Sequence, residues 1–275
     1  MPLQRNKQAT WEERIDRARK LAETYPFASQ VLSFYAEIAA FQQSLQARLK
    51  SAGNGLPQSE GLAFRDSLDV PRLLPGVPEL LSLVARAAPS PLAQTAHELE
   101  QVEPEYWEYL LSACWKSEGH AVEEAPETHL FIARALLQPY AVHLAGLRDL
   151  ELPRYGPPTC LVCSGKPLVG VLREEGHGAK RSLVCSLCLT EWDFRRVICP
   201  ACGEERFDKL PNYRAGQLDH MRVEACDTCK KYICTVDLTK DGLAIPEVDE
   251  LAGIPLNLWA QEKGYTKLQP NLLGM

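Results

Sequence analysis

No stretch of the 275-residue sequence approaches the roughly 18 uninterrupted apolar residues of a membrane span. The best candidate, residues 131–147, is interrupted by Arg134, Gln138, Pro139 and His143. The opening segment has no apolar core of the kind a secretory signal needs and passes directly into a charged helical pattern. Arg195 and Arg196 form an internal pair, which excludes their use as a twin-arginine export signal. A cytoplasmic protein with no membrane role is expected. An excess of positive charge is also missing. Thirty Lys+Arg face 36 Asp+Glu, a net charge of -6 that argues against a chain that coats nucleic acid. With 45% hydrophobic and 24% charged residues, a largely disordered or fibrous chain is excluded. The length suffices for one large domain or two ordinary ones.

The first 150 residues lack strand-like alternation and, apart from Cys114, lack cysteine. Thr10 and Glu13 form a capping box, in which the hydroxyl and the carboxylate satisfy each other's backbone donors at a helix start. Ile15, Ala18, Leu21 and Ala22 follow at helical spacing, and Tyr25-Pro26 ends the run. A second helix is predicted over 27–50, stopped by turn residues at 53–57. Others follow over 77–88, from an N-cap at Ser90 before Pro91, over 103–118 and over 128–147, with Pro139 kinking or splitting the last. This half is read as an all-α domain, 1–150, with no catalytic constellation. His97, His120, His129 and His143 are isolated, and Cys114 sits among apolar neighbours as a small hydrophobe. Tyr106, Trp107, Tyr109 and Trp115 make an aromatic group that serves either the core or a groove for a partner peptide.

Composition changes at the proline-rich segment 151–158, read as a linker. Nine of the ten cysteines then fall between Cys160 and Cys234. Eight form four CxxC pairs: Cys160/Cys163, Cys185/Cys188, Cys199/Cys202 and Cys226/Cys229. Two residues between cysteines let the backbone fold into a knuckle that aims both sulfurs at one ion, and two knuckles complete a tetrahedral thiolate shell. In a reducing compartment such pairs are metal ligands or redox thiols rather than structural disulfides. The gaps favour joining the first pair to the second and the third to the fourth, each through a β-hairpin, with an interleaved pairing as the alternative. Short β-prone runs at 168–172, 181–184 and 221–224 fit this. Gly203, directly after Cys202, suits a left-handed turn, whereas the first knuckle has Ser164 there. The fold class is therefore α+β multi-domain: an N-terminal all-α domain followed by two rubredoxin-like or zinc-ribbon four-cysteine modules, 159–192 and 193–240, and a C-terminal tail, 241–275, with a short helix. Four thiolates accept zinc or iron alike. The metal sites are structural or redox-active, and Cys234 is a buried strand residue or a spare thiol. His177 and His220 are expected in solvated loops.

Cys185-Ser-Leu-Cys188-Leu-Thr-Glu191-Trp192, followed by Arg195-Arg196-Val197-Ile198-Cys199-Pro-Ala-Cys202, resembles the core of the FdhE family of formate dehydrogenase accessory proteins. The segment from Glu224 to Tyr232 is similar to the family's last knuckle, and likeness extends to the tail from Leu256 to Tyr265 and to the first helices. The first knuckle departs from the family pattern, which tends to have Pro within the pair and Gly directly after it. The resemblance implies a non-enzymatic cytoplasmic maturation factor that binds the catalytic subunit of a respiratory formate dehydrogenase and carries two rubredoxin-type iron sites, zinc being the other candidate. Partner contact is expected at Trp192, Arg195 and Arg196, in the short connector between the modules. A zinc-ribbon nucleic-acid binder and a rubredoxin-like electron carrier are the alternatives. The cysteine half is formally +2, and eight thiolates with two divalent ions bring it near -2, a poor surface for phosphates.

Overall fold

The computed structural model describes residues 8–51, 64–117, 122, 125–148, 153–176 and 178–275. The expected turn at 53–57, His120, His177 and the first linker residues lie outside them. The helical part comprises α1 (Trp11–Thr24), α2 (Ser29–Ser51), α3 (Gly76–Ala87), α4 (Ser90–Leu99), α5 (Pro104–Lys116) and α6 (Glu127–Gly146). The Thr10–Glu13 capping box is formed in both directions. Helix α4 begins one residue earlier than expected. Pro89 occupies the N-cap and Ser90 is already helical, because Pro91 needs only a helical φ and no N–H in the first turn.

Pro139 does not split α6. A proline at this position leaves the carbonyl four residues earlier, that of Ala135, without its helical donor. The fully buried Gln42 of α2 supplies one, donating its Nε2 to Ala135 O at 3.0 Å. Trp107 and Trp115 lie in the core, at 3% and 0% exposure, while Tyr109 is exposed.

The cysteine-rich part is a single sheet. Its strands are β1 (Pro167–Glu175), β2 (Gly178–Cys185), β3 (Glu191–Phe194), β4 (Asn212–Arg214), β5 (Met221–Ala225), β6 (Lys231–Asp237) and β7 (Thr266–Lys267). Their spatial order is β3-β2-β1-β6-β5-β4, with β7 also on β6. The β1–β2 antiparallel hairpin joins the first two knuckles, and the antiparallel β4–β5 pair joins the third to the fourth, which itself turns β5 into β6. The two halves join through a parallel pairing of Gly170–Leu172 with Thr235–Asp237. Gly170 permits this approach, since a Cβ there would lie 2.3 Å from Thr235 Oγ1. Strand β3 runs across the boundary expected at 192/193, so Asp193 and Phe194 pair with β2 of the first hairpin. The tail folds into two short helices, α7 (Pro246–Ala252) and α8 (Ile254–Glu262), and returns to the sheet at β7.

Helix α1 docks on α7 through buried arginines. Arg14 Nε donates to Glu247 at 2.7 Å, and Arg17 reaches both Asp249, at 2.5 and 2.9 Å, and Asp241, at 2.6 Å.

Candidate metal centres

The hairpins bring the eight paired cysteines into two groups, Cys160/Cys163/Cys185/Cys188 and Cys199/Cys202/Cys226/Cys229, each with all four sulfurs within 4.8 Å of one another. In the first, Sγ–Sγ separations are 3.5 Å for Cys160–Cys188 and 3.3 Å for Cys163–Cys185. In the second, Cys199–Cys229 and Cys202–Cys226 are both 3.7 Å apart. A tetrahedron built on metal–sulfur bonds of about 2.3 Å has an edge of about 3.8 Å. Both tetrads fit a single four-coordinate ion.

One backbone device repeats in all four knuckles. The first cysteine's N–H donates to the carbonyl five residues on: Gly165, Thr190, Glu204 and Lys231 accept at 2.9–3.0 Å. The residue after the second cysteine is left-handed in every case, with φ of 59° at Ser164, 54° at Leu189, 78° at Gly203 and 56° at Lys230. Ser164 thus adopts the conformation for which Gly203 is suited. N–H groups of Val162, Leu187 and Ala201 point at the sulfurs of Cys160, Cys185 and Cys199, at 3.3–3.4 Å. Such donors favour thiolate.

The thiols oppose their own ionisation. Burial, reinforced by the neighbouring sulfurs, raises Cys185 and Cys188 well above the usual thiol range, whereas hydrogen bonds from Cys163, Cys185 and Cys188 hold Cys160 below it. A divalent cation among the four sulfurs would favour the thiolate form of all of them.

The tetrads differ in setting. The first is gripped by the helical part: Arg65 Nε donates to Cys163 O at 2.8 Å, Gln138 Nε2 to Ser186 O at 3.1 Å and Gln8 Nε2 to Cys188 O at 3.2 Å. Its four cysteines are at most 3% exposed. The second is more open, with Cys202 exposed and Cys229 half-buried. Its knuckles are clipped to each other by Thr228, whose hydroxyl donates to Glu204 at 2.6 Å. That bond, with those from Arg206, brings the Glu204 carboxyl down to about 2.

Of the remaining residues singled out in the sequence, Trp192 is 1% exposed and donates its Nε1 to Pro157 O at 2.9 Å, pinning the linker to β3. Arg195 and Arg196 are exposed; Arg195 pairs with Glu205 and Arg196 donates to Ala179 O at 2.9 Å. Cys234 is fully buried in β6, outside both tetrads, with its thiol on Asn257 Oδ1 at 3.3 Å and its pKa raised by burial to about 12. Burial likewise lifts the half-buried Cys114 to about 11. His220 is not solvated. It is 6% exposed and lies 2.9 Å from Asp249. His220, Asp241 and Asp249 form a third group of metal-type donors, but the Arg17 guanidinium already bridges both carboxylates. Gln8, Arg65 and Gln138 had no sequence signal beyond polar residues set among apolar helical neighbours.

A helical platform tied to a sheet that carries two four-cysteine groups, each able to hold a metal ion, is an architecture shared with known proteins. The model described as FdhE, central domain, matches residues 159–196, and that described as FdhE, C-terminal domain, matches 197–273. The Protein FdhE homolog of Aquifex aeolicus is 28% identical over 98% of this chain and 96% of its own length. Protein FdhE of Escherichia coli K12 is 26% identical over 95% and 86%. The crystal structure of the FdhE protein from Pseudomonas aeruginosa superposes with a TM-score of 0.75, at 24% identity over 97% of each chain, and shares the fold. The two domain models, the near full-length relatives and the shared fold all support the FdhE family.

Proposed function

We propose that this protein is a cytoplasmic, non-enzymatic accessory factor that binds the catalytic subunit of a respiratory formate dehydrogenase and is needed for its activity. It holds one metal ion in each tetrad, and iron is the favoured metal. The observation that carries this reading is the pairing of two rigid thiol tetrads with a helical platform in a chain similar to FdhE proteins over nearly its whole length. The metals act as staples. Each hairpin alone buries too little apolar surface to hold its shape, and closing it around an ion supplies the difference. Arg195 and Arg196 contact the client, while the buried Trp192 fixes the strand that presents them.

Deletion of the gene is expected to abolish formate-dependent dye reduction while leaving synthesis of the catalytic subunit intact; normal reduction in the deletion strain contradicts the assignment. Replacing Arg195 and Arg196 together with alanine should weaken pull-down of the catalytic subunit without loss of metal or melting temperature. A second reading, a rubredoxin-like electron carrier, draws on the exposed Cys202. A red protein that bleaches reversibly with dithionite favours it, and a colourless zinc protein counts against it.

A further inference from the structure

A cavity of about 180 Å³ opens beside the second tetrad, walled by Cys199 and Cys226 on one side and by cationic side chains on the other. Arg181, Arg196, Arg222 and Lys231 line it, with Glu224 as the carboxylate among them. Glu224 is shared between Arg181, at 2.6 Å, and Arg222. Arg196 and Lys231 have no carboxylate partner among the described residues.

Arg181 is the unusual member. It is 3% exposed, donates Nη1 to the carbonyls of Arg195 and Ile198 at 3.1 and 3.2 Å, and lies over the Phe194 ring, yet its buried Nε has no hydrogen-bond partner. A buried guanidinium N–H left unpaired is costly and marks a place for an acceptor. The charges agree. Four cations face one carboxylate, and a tetrathiolate centre with a divalent ion contributes -2, which leaves one positive charge. One carboxylate is its complement. Beside it stand apolar surfaces with nothing to cover them: Phe207 is 79% and Val197 48% exposed. An inorganic anion would gain nothing from these, whereas a peptide carrying an acidic residue next to an apolar one would use both.

We infer that this cavity is a docking pocket for an acidic side chain of a partner polypeptide, with Arg181, Arg196 and Lys231 receiving the carboxylate and Phe207 and Val197 receiving an adjacent apolar side chain. The inference rests on the accessory reading and gives the partner's chemistry. Its test needs no client protein, so its failure and that of the formate dehydrogenase assignment are separate results.

The metal-loaded full chain would be titrated into a fluorescein-labelled peptide, acetyl-Gly-Leu-Glu-Phe-Gly-amide, and its glutamine twin, with anisotropy as the readout. The glutamate peptide should bind at least tenfold more tightly. Arg196→Glu and Lys231→Glu should each remove most of that preference, and Phe207→Ala should weaken both peptides. Arg48→Ala, on α2 and outside the cavity wall, should change neither, and metal content should be two ions per chain throughout. Equal affinity for the two peptides, no saturable binding of the glutamate peptide, or displacement of it by equimolar inorganic phosphate would overturn the proposal, the last assigning the pocket to free oxyanions.

Discussion

The residue after each knuckle's second cysteine carries a cost that only glycine avoids. Ser164, Leu189 and Lys230 are left-handed at φ of 54–59°, a conformation unfavourable for residues with a Cβ. Ser164 is exposed, so Ser164→Gly relieves strain without removing buried contacts. Unfolding of the metal-loaded protein should show a gain of about 1 kcal/mol. Leu189→Gly should do the opposite, since Leu189 is 3% exposed and its burial is worth more than the strain. Gly165 presents a different constraint. A Cβ there would lie 3.0 Å from Cys185 Sγ and 3.2 Å from Cys163 Sγ, so Gly165→Ala should lower occupancy of the first tetrad and leave the second unchanged, as read by metal analysis. The glycine at 203 made the third knuckle's geometry legible from the sequence. The serine at 164 obscured the same geometry in the first, because tertiary closure overrides local preference there.

Among the elements, helices and hairpins were legible because their signals are local: the Thr10 cap, apolar periodicity and turn residues between β-prone runs. The join between them was not. Parallel pairing of β1 with β6 links residues more than sixty positions apart, and no local pattern records it. The α1–α7 clamp was equally hidden, since Arg14 and Arg17 meet Glu247 and Asp249 only when these arrive from the far end of the chain. Arg17→Ala leaves Asp249, fully buried, with His220 and the Ile245 N–H but no guanidinium, and should cost about 3–5 kcal/mol of stability. The clamp also sets an acid limit. Burial pulls the Asp241 carboxyl upward, but the Arg17 hydrogen bond and the Leu243 N–H overcome it and hold it below the ordinary range. A depressed carboxylate stabilises the fold above its unfolded pKa, about 3.9, and that contribution is lost as pH falls through the folded value. Urea unfolding should therefore be flat from neutrality to about pH 5 and weaken below about pH 4, less steeply in Asp241→Asn.

At the scale of the whole molecule, one tetrad is tied to the helical part and buried while the other is more open. Arg65, Gln138 and Gln8 tie the first to the helical part, whereas Cys202 of the second is exposed. A thiol chelator should consequently remove metal in two phases, the second tetrad emptying first, with helical content preserved through the first phase. The cysteine spacing made both four-cysteine groups legible, but their unequal exposure depends on the helical domain's placement, which spacing does not encode. The central claim is that two ions are held by these eight cysteines and no others. Metal analysis of anaerobically purified protein tests it directly: two ions per chain for the parent and for Cys114→Ser, and one for Cys188→Ser and for Cys226→Ser. Loss of an ion in Cys114→Ser, with two retained in Cys226→Ser, would contradict it.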